Sequence, residues 1–305
     1  MMATPDSDSA DDQRLVEVSV QVDLDAVDDI VRLLERHCPG GTAVEEPGDD
    51  RRAETRVTVK GYIPASDTDT QRKVEIALLL LSRDGSISEP TLTTLEQKDW
   101  TESWKASFKP MRIGQRTVIV PTWHTYESHP GQVIVRIDPG MAFGTGLHST
   151  TRLCIIAAER LVRTGMRILD VGTGSGILAI LSVLLGAESA LGLDTDPLAV
   201  QTARENAAVN GVDNAFSIVH GTLDDTDEQT AGTQYDLVLA NILAEVIIDM
   251  ASGLAKAVAP GGALVASGIL TSKADKVADA LVAEGLAIEE RITEGEWTAL
   301  IVRKA

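Results

Sequence analysis

The apolar positions of this chain change period several times, and each change marks an element. LVEVSVQV (15–22) alternates apolar and polar residues as a half-buried strand does, and RVTVKGY (56–62) repeats the pattern. Between them Val27, Ile30, Val31 and Leu34 recur at helical spacing over 23–36, and Pro39-Gly40-Gly41 ends the run. A second helix is predicted over 67–81, with Asp67 or Thr68 as its N-cap, and TLTTLE (91–96) reads as a further strand. This order predicts a small ferredoxin-like α+β domain, with helices layered on an antiparallel sheet.

Further on, TVIVP (117–121) and VIVRI (133–137) are short apolar strands, after which strands and helices alternate. Helix 149–163, strand 166–171, helix 175–185, strand 189–194 and helix 197–209 come first. Strands 215–219 and 235–241, helix 243–258, strand 262–267 and helix 272–284 follow. Strands 286–292 and 297–303 then meet across 293–296 with no helix between them, so the last must run antiparallel. The prediction is an α/β fold: a Rossmann-like, seven-stranded, doubly wound sheet with an antiparallel last strand. The expected boundaries are a disordered acidic tail (1–13), the ferredoxin-like recognition domain (14–97), a Trp-bearing linker (98–115) and the doubly wound domain (116–305).

Composition narrows the picture. With 305 residues and 44% hydrophobic positions, the chain can bury two cores. The polar, acidic start has no secretory pattern, and the apolar run 177–187 is too short to span a bilayer, so a cytoplasmic protein is expected. Cys38 and Cys154 fall in no metal-ligand spacing, no histidine cluster forms, and no metal is expected. The net charge of −19 disfavours nucleic-acid binding and suits a basic protein partner, although acidity also serves solubility.

The candidate chemistry lies at strand ends. In ILDVGTGSGILAI (168–180) a strand ends at Asp170 and the chain turns through Gly172, Gly174 and Gly176, glycines that let a ligand approach the backbone. The spacing is G-x-G-x-G, and Ile177 stands where a dinucleotide fingerprint has its third glycine. Asp170 can order the cationic amine of a methionine moiety or serve as a turn cap. Asp194, in GLDTDP (192–197), ends the next strand and can accept both hydroxyls of a ribose, while Asp196 before Pro197 reads as an N-cap. In YDLVLANILAEV (235–246) Asn241 ends a strand where amino-methylating enzymes carry Asn/Asp-Pro-Pro-aromatic; here Ile242-Leu243 replaces Pro-Pro and no aromatic follows. An amide there accepts a hydrogen bond from the target amine and aims its lone pair. The segment 138–154 precedes the first strand of the sheet: Phe143 can cover a cofactor, Thr151 can contact its methionine end, and Ser149 or Thr150 can cap the helix. His148 as a general base competes with the commoner capping role.

FGTGLHSTT (143–151), ANIL (240–243), EGEWTALIVRK (294–304) and the Trp-rich stretch 100–123 together resemble the PrmA type of bacterial methyltransferase, which acts on a large-subunit ribosomal protein. Leu147 and Ser149 depart from the Thr and Pro often found there. The resemblance implies S-adenosylmethionine as cofactor, with Thr151, Gly172, Asp194 and Asn241 among its contacts. It further implies a monomer whose ferredoxin-like domain grips a basic ribosomal protein, and N-methylation of lysine ε-amines and the N-terminal α-amine. The expected site is therefore Asn241 for catalysis, with Phe143, Thr151, Asp170, Gly172, Gly174, Asp194 and Asn241 for the cofactor. An NAD-dependent oxidoreductase and a non-catalytic, ribosome-associated binding protein remain the alternatives.

Overall fold

The computed structural model describes residues 15–23, 26–38, 42–45, 56–95, 109–138, 148–223 and 232–304. The expected tail, Trp100, Trp104 and Phe143 lie outside the described residues. The chain divides into two compact units, Met1–Phe108 and Lys109–Ala305.

In the first unit β1 (Leu15–Asp23), β2 (Thr42–Glu45), β3 (Arg56–Pro64) and β4 (Thr91–Leu95) form one antiparallel sheet in the order β2-β3-β1-β4. Helices α1 (Val27–His37) and α2 (Thr68–Leu81) supply Ile30, Leu34, Val74 and Leu78 to a core shared with Val18, Val20 and Val59. The alternation along β1 therefore buries every second residue, Val16, Val18, Val20 and Val22. Asp67 caps α2, accepting from the Thr70 amide at 3.0 Å, a contact typically worth about 1 kcal/mol. The four-residue β2 has no counterpart in the hydrophobic pattern, because TAVE holds too few positions to set a period.

The second unit opens with β5 (Met111–Ile113), β6 (Thr117–Pro121) and β7 (Val133–Ile137), a three-stranded sheet in which β5 runs antiparallel and β7 parallel to β6. Part of the expected linker thus forms a strand. There follow α3 (Ser149–Leu161), β8 (Arg167–Val171), α4 (Ile177–Leu184), β9 (Ser189–Asp194), α5 (Pro197–Val209), β10 (Phe216–His220) and β11 (Tyr235–Asn241). The remainder is α6 (Ala244–Asp249), α7 (Ala251–Ala257), β12 (Val258–Leu270), α8 (Ala274–Ala283), β13 (Leu286–Glu294) and β14 (Trp297–Lys304).

These strands make a mixed sheet in the order β10-β9-β8-β11-β12-β14-β13, parallel from β10 to β12, with β14 antiparallel to both its neighbours. Successive strand residues alternate between two cores. Ile168, Leu237, Leu239 and Val265 face α3, α4 and α5, whereas Leu169, Val238, Ala240 and Leu264 face α6, α7 and α8. Burial on both sides explains why these strands read as nearly continuous apolar runs.

Two local expectations need correction. The helix predicted over 243–258 is two helices meeting at Met250, whose φ −93° and ψ 3° leave the helical range. Leu254 N–H still bonds Met250 O, so the apolar spacing continues across the junction and conceals it. The strand predicted over 262–267 begins at Val258, because the pairing with β11 is irregular across a stretch that contains Pro260, Gly261 and Gly262.

Candidate active site

Chain order places β9 and β10 on one side of β8 and β11 on the other, so the sheet changes winding direction between β8 and β11. Loops leaving the C-terminal ends of strands at such a point diverge and leave a crevice, the usual ligand position in an open α/β sheet. The glycine loop leaves β8 there, and Asn241 ends β11 beside it.

The loop is held tightly. Gly172 and Thr173 N–H both bond Leu193 O, at 2.8 and 3.0 Å, and Gly176 N–H bonds Thr173 O. Gly172, Gly174 and Gly176 have φ of 71°, 54° and 82°, a region that strains side-chain-bearing residues. At Gly172 there is a second requirement: a Cβ would lie 2.3 Å from Ile242 Cγ2. The glycine loop therefore packs directly on the residue that follows Asn241.

Asp194 ties this loop to β9. Its Oδ2 accepts from Gly174 N–H at 2.8 Å and its Oδ1 from Asp196 N–H at 3.0 Å. A carboxylate offers about four acceptor positions, so two stay available for a pair of hydroxyls. Asp196 caps α5, accepting from the Leu198 amide at 2.9 Å, with Pro197 in the first turn.

Asp170 is fully buried at the end of β8. Its Oδ2 accepts from the Thr173 hydroxyl at 2.7 Å, and its Oδ1 is buried without a hydrogen-bond partner. Burial pushes this carboxyl up to about 7, against the opposing pull of the Thr173 hydroxyl and the Ala179 backbone amide, with the nearby Asp194 charge adding to the rise. A buried acid with an open acceptor favours a cationic donor brought in by a ligand.

Asn241 donates from its amide nitrogen to Thr151 Oγ1 at 3.3 Å, and its Oδ1 is likewise buried and unpartnered. Thr151 sits in the buried first turn of α3. Ser149 and Thr150, expected as caps, lie within that turn, and His148 is the cap instead. Its Nδ1 accepts from the Thr150 amide at 3.3 Å and pairs with the Thr150 hydroxyl at 2.7 Å, while its ring meets Trp297 edge-on.

The structure thus gathers Thr151, Asp170, Gly172, Gly174, Asp194 and Asn241 at one end of the sheet; Phe143 lies outside the described residues. Two open acceptors and a glycine cradle that excludes a Cβ fit a ligand carrying an ammonium and vicinal hydroxyls. Thr173 carries no signal in the sequence beyond a hydroxyl inside the loop, yet it is the donor to Asp170. Ser267, a lone polar residue in an apolar strand, was the other signal available: its hydroxyl donates to Thr150 O and its carbonyl accepts from Ile242 N–H.

Cys154 is buried with its thiol pushed up to about 12 by desolvation, which leaves it no nucleophilic role near neutral pH. Among the described residues no group of three or more His, Cys, Asp or Glu could hold a metal ion, and no helix is long and apolar enough to cross a membrane.

Known proteins carry the same pattern across the chain. The family model described as Ribosomal protein L11 methyltransferase (PrmA) matches residues 14–305. The ribosomal protein L11 methyltransferase of Chloroflexus aurantiacus is 39% identical over 320 residues, covering 95% of this chain and 98% of that protein. Its counterpart from Geobacter metallireducens is 48% identical over 254 residues, covering 80% and 81%. The crystal structure of ribosomal protein L11 methylase from Lactobacillus delbrueckii subsp. bulgaricus is similar with a TM-score of 0.59 and 34% identity, covering 65% of this chain and 99% of that one. The sheet order, the strand-end site and the match over 14–305 converge on one conclusion: this chain belongs to the ribosomal protein L11 methyltransferase family.

Proposed function

We propose that this chain transfers methyl groups from S-adenosylmethionine to lysine ε-amines and the N-terminal α-amine of ribosomal protein L11. The single observation that carries the amine reading is the unpartnered, buried Oδ1 of Asn241 beside the glycine loop. Family membership leaves the NAD-dependent oxidoreductase without support.

S-adenosylmethionine, when bound, supplies an electrophilic methyl on a sulfonium. In this reading Gly172 and Gly174 let it approach the backbone, Asp194 accepts its ribose hydroxyls, and Asp170 answers its ammonium. Thr151 and Phe143 contact or cover its methionine end. Asn241 Oδ1 accepts an N–H from the incoming neutral amine, which points the nitrogen lone pair along the line of transfer. A lysine ammonium loses its proton before attack, to solvent or to a nearby base, because only the neutral amine carries the lone pair that is transferred to the methyl.

The first unit acts as a ferredoxin-like recognition module for the basic substrate; its antiparallel β2-β3-β1-β4 order with two helices supports this. Action as a cytoplasmic monomer without nucleic-acid contact belongs to the same reading, and the net charge of −19 supports the last point. Intact-mass spectrometry of purified ribosomal protein L11 after incubation with the chain and S-adenosylmethionine tests it. Additions in 14-Da steps are expected; an unchanged mass with cofactor bound would remove the substrate assignment.

A further inference from the structure

Asn206 on α5 and Asn210 at its C-cap stand one turn apart and behave, in hydrogen bonding, like a piece of strand. Asn210 Oδ1 accepts from Arg136 N–H at 2.8 Å while its Nδ2 donates to Arg136 O at 2.6 Å. Asn206 repeats the pairing two residues on: its Oδ1 accepts from Asp138 N–H at 2.9 Å and its Nδ2 donates to Asp138 O at 3.4 Å. Two side-chain amides thus clasp alternate peptides at the end of β7, as a neighbouring strand would.

The two differ in one respect. Asn206 Nδ2 also donates to Ser175 O at 2.9 Å, inside the glycine loop, and the residue is almost completely buried. Asn210 instead donates its second bond to Asn206 O at 2.7 Å and never reaches the loop. Asn206 is therefore a three-way junction between α5, the end of β7 and the loop between β8 and α4.

We infer that Asn206 is a positioning residue for the cofactor loop, holding the Ser175 carbonyl so that the backbone from Gly174 to Gly176 keeps the shape a ligand requires. The inference rests on the cofactor site proposed above. A buried amide that loses its partners costs more than the bond itself was worth, so the junction resists rearrangement while Asn206 is present. Removing it leaves the peptide between Ser175 and Gly176 held on one side only, by the Gly176 N–H bond to Thr173 O, and Gly176, with φ 82° and no Cβ, offers little resistance to a tilt about that bond.

The experiment compares Asn206→Ala and Asn210→Ala in the full chain, measuring melting temperature and the dissociation constant for S-adenosylhomocysteine. Both variants should melt earlier than wild type. Only Asn206→Ala should weaken binding, by about tenfold, the effect expected of one misplaced hydrogen-bonded segment; Asn210→Ala should stay within about twofold. If Asn206→Ala does not fold, Asn206→Asp carries the same expectation, because it keeps the acceptor for Asp138 N–H and loses the donor to Ser175 O. Equal affinities for wild type and the Asn206 variant, or equal weakening by both positions, would overturn the inference. A wild-type chain that does not bind S-adenosylhomocysteine would overturn the proposed site along with it.

Discussion

The Asn241 side-chain amide donates to Thr151 Oγ1 at 3.3 Å, joining the end of β11 to the first turn of α3 across 90 positions of sequence. The bond decides which end of the amide is spent. With the nitrogen held by Thr151, Oδ1 is left as the open acceptor. Thr151→Val removes the acceptor at similar size, so the amide is free to turn, and the methylation rate should fall about tenfold. Thr151→Ser, which keeps the hydroxyl, should restore most of it. Steady-state kinetics on ribosomal protein L11 with the three proteins checks the pair.

Asp170 predicts a pH dependence of cofactor binding. Its carboxyl titrates near 7 in the folded chain, raised by burial from an ordinary value of 3.8. The bound ammonium needs the carboxylate form, so affinity for S-adenosylhomocysteine should weaken as pH falls below about 7, by up to about tenfold per unit. Asp170→Asn should flatten that profile and bind weakly throughout. Stability follows the opposite sign. A raised pKa contributes stability below 3.8 that is lost as pH rises to about 7, so at pH 8 the ligand-free Asn variant should melt above wild type. Calorimetry from pH 5.5 to 8.5 reads both.

Much of this site was legible because its residues sit where elements end. Asp170, Asp194 and Asn241 each close an apolar run, and a turn or a new period follows at once, so sequence alone placed them at strand ends. Asn206 and Asn210 were not legible. Polar residues at helical spacing read as a solvated face, and nothing in a one-dimensional period says that a strand end lies against them. The same limit hid the junction at Met250 and assigned the α3 cap to Ser149 or Thr150 rather than His148. Hydroxyl residues lead the cap preferences, but here the core claims both of them.

The Gly172–Ile242 contact predicts a suppressible defect. Gly172→Ala adds a Cβ at 2.3 Å from Ile242 Cγ2 and holds alanine at φ 71°, so S-adenosylhomocysteine binding should weaken by more than about tenfold. Ile242→Ala removes the clash but leaves the backbone strain. The double variant should therefore recover part of the affinity, and a double-mutant cycle measures the coupling. Strict additivity would show that the packing does not matter.

Glu159 anchors the turn between β5 and β6 to α3. Its carboxylate accepts from the amides of Gln115, Arg116 and Thr117 and from the Thr117 hydroxyl, at 2.9, 3.0, 2.6 and 2.6 Å. Burial alone would raise its pKa, but these four donors hold it below the ordinary 4.5. The stability they contribute is present above 4.5 and lost as pH falls through the depressed folded value. Glu159→Gln should lower the melting temperature at pH 7 by about 2–4 °C, with the difference from wild type shrinking on acidification. Thermal melts at pH 7 and pH 3.5 test this.

If Asn241 Oδ1 orients the amine under attack, Asn241→Ala should slow methyl transfer while sparing cofactor binding. The measurement is the rate of methyl incorporation into ribosomal protein L11 at saturating S-adenosylmethionine, with S-adenosylhomocysteine affinity determined on the same preparation. The expected result is a rate lower by at least about a hundredfold and an affinity within about fivefold of wild type, because a mispositioned nucleophile costs the chemical step more than binding. Methylation by Asn241→Ala at the wild-type rate would contradict it.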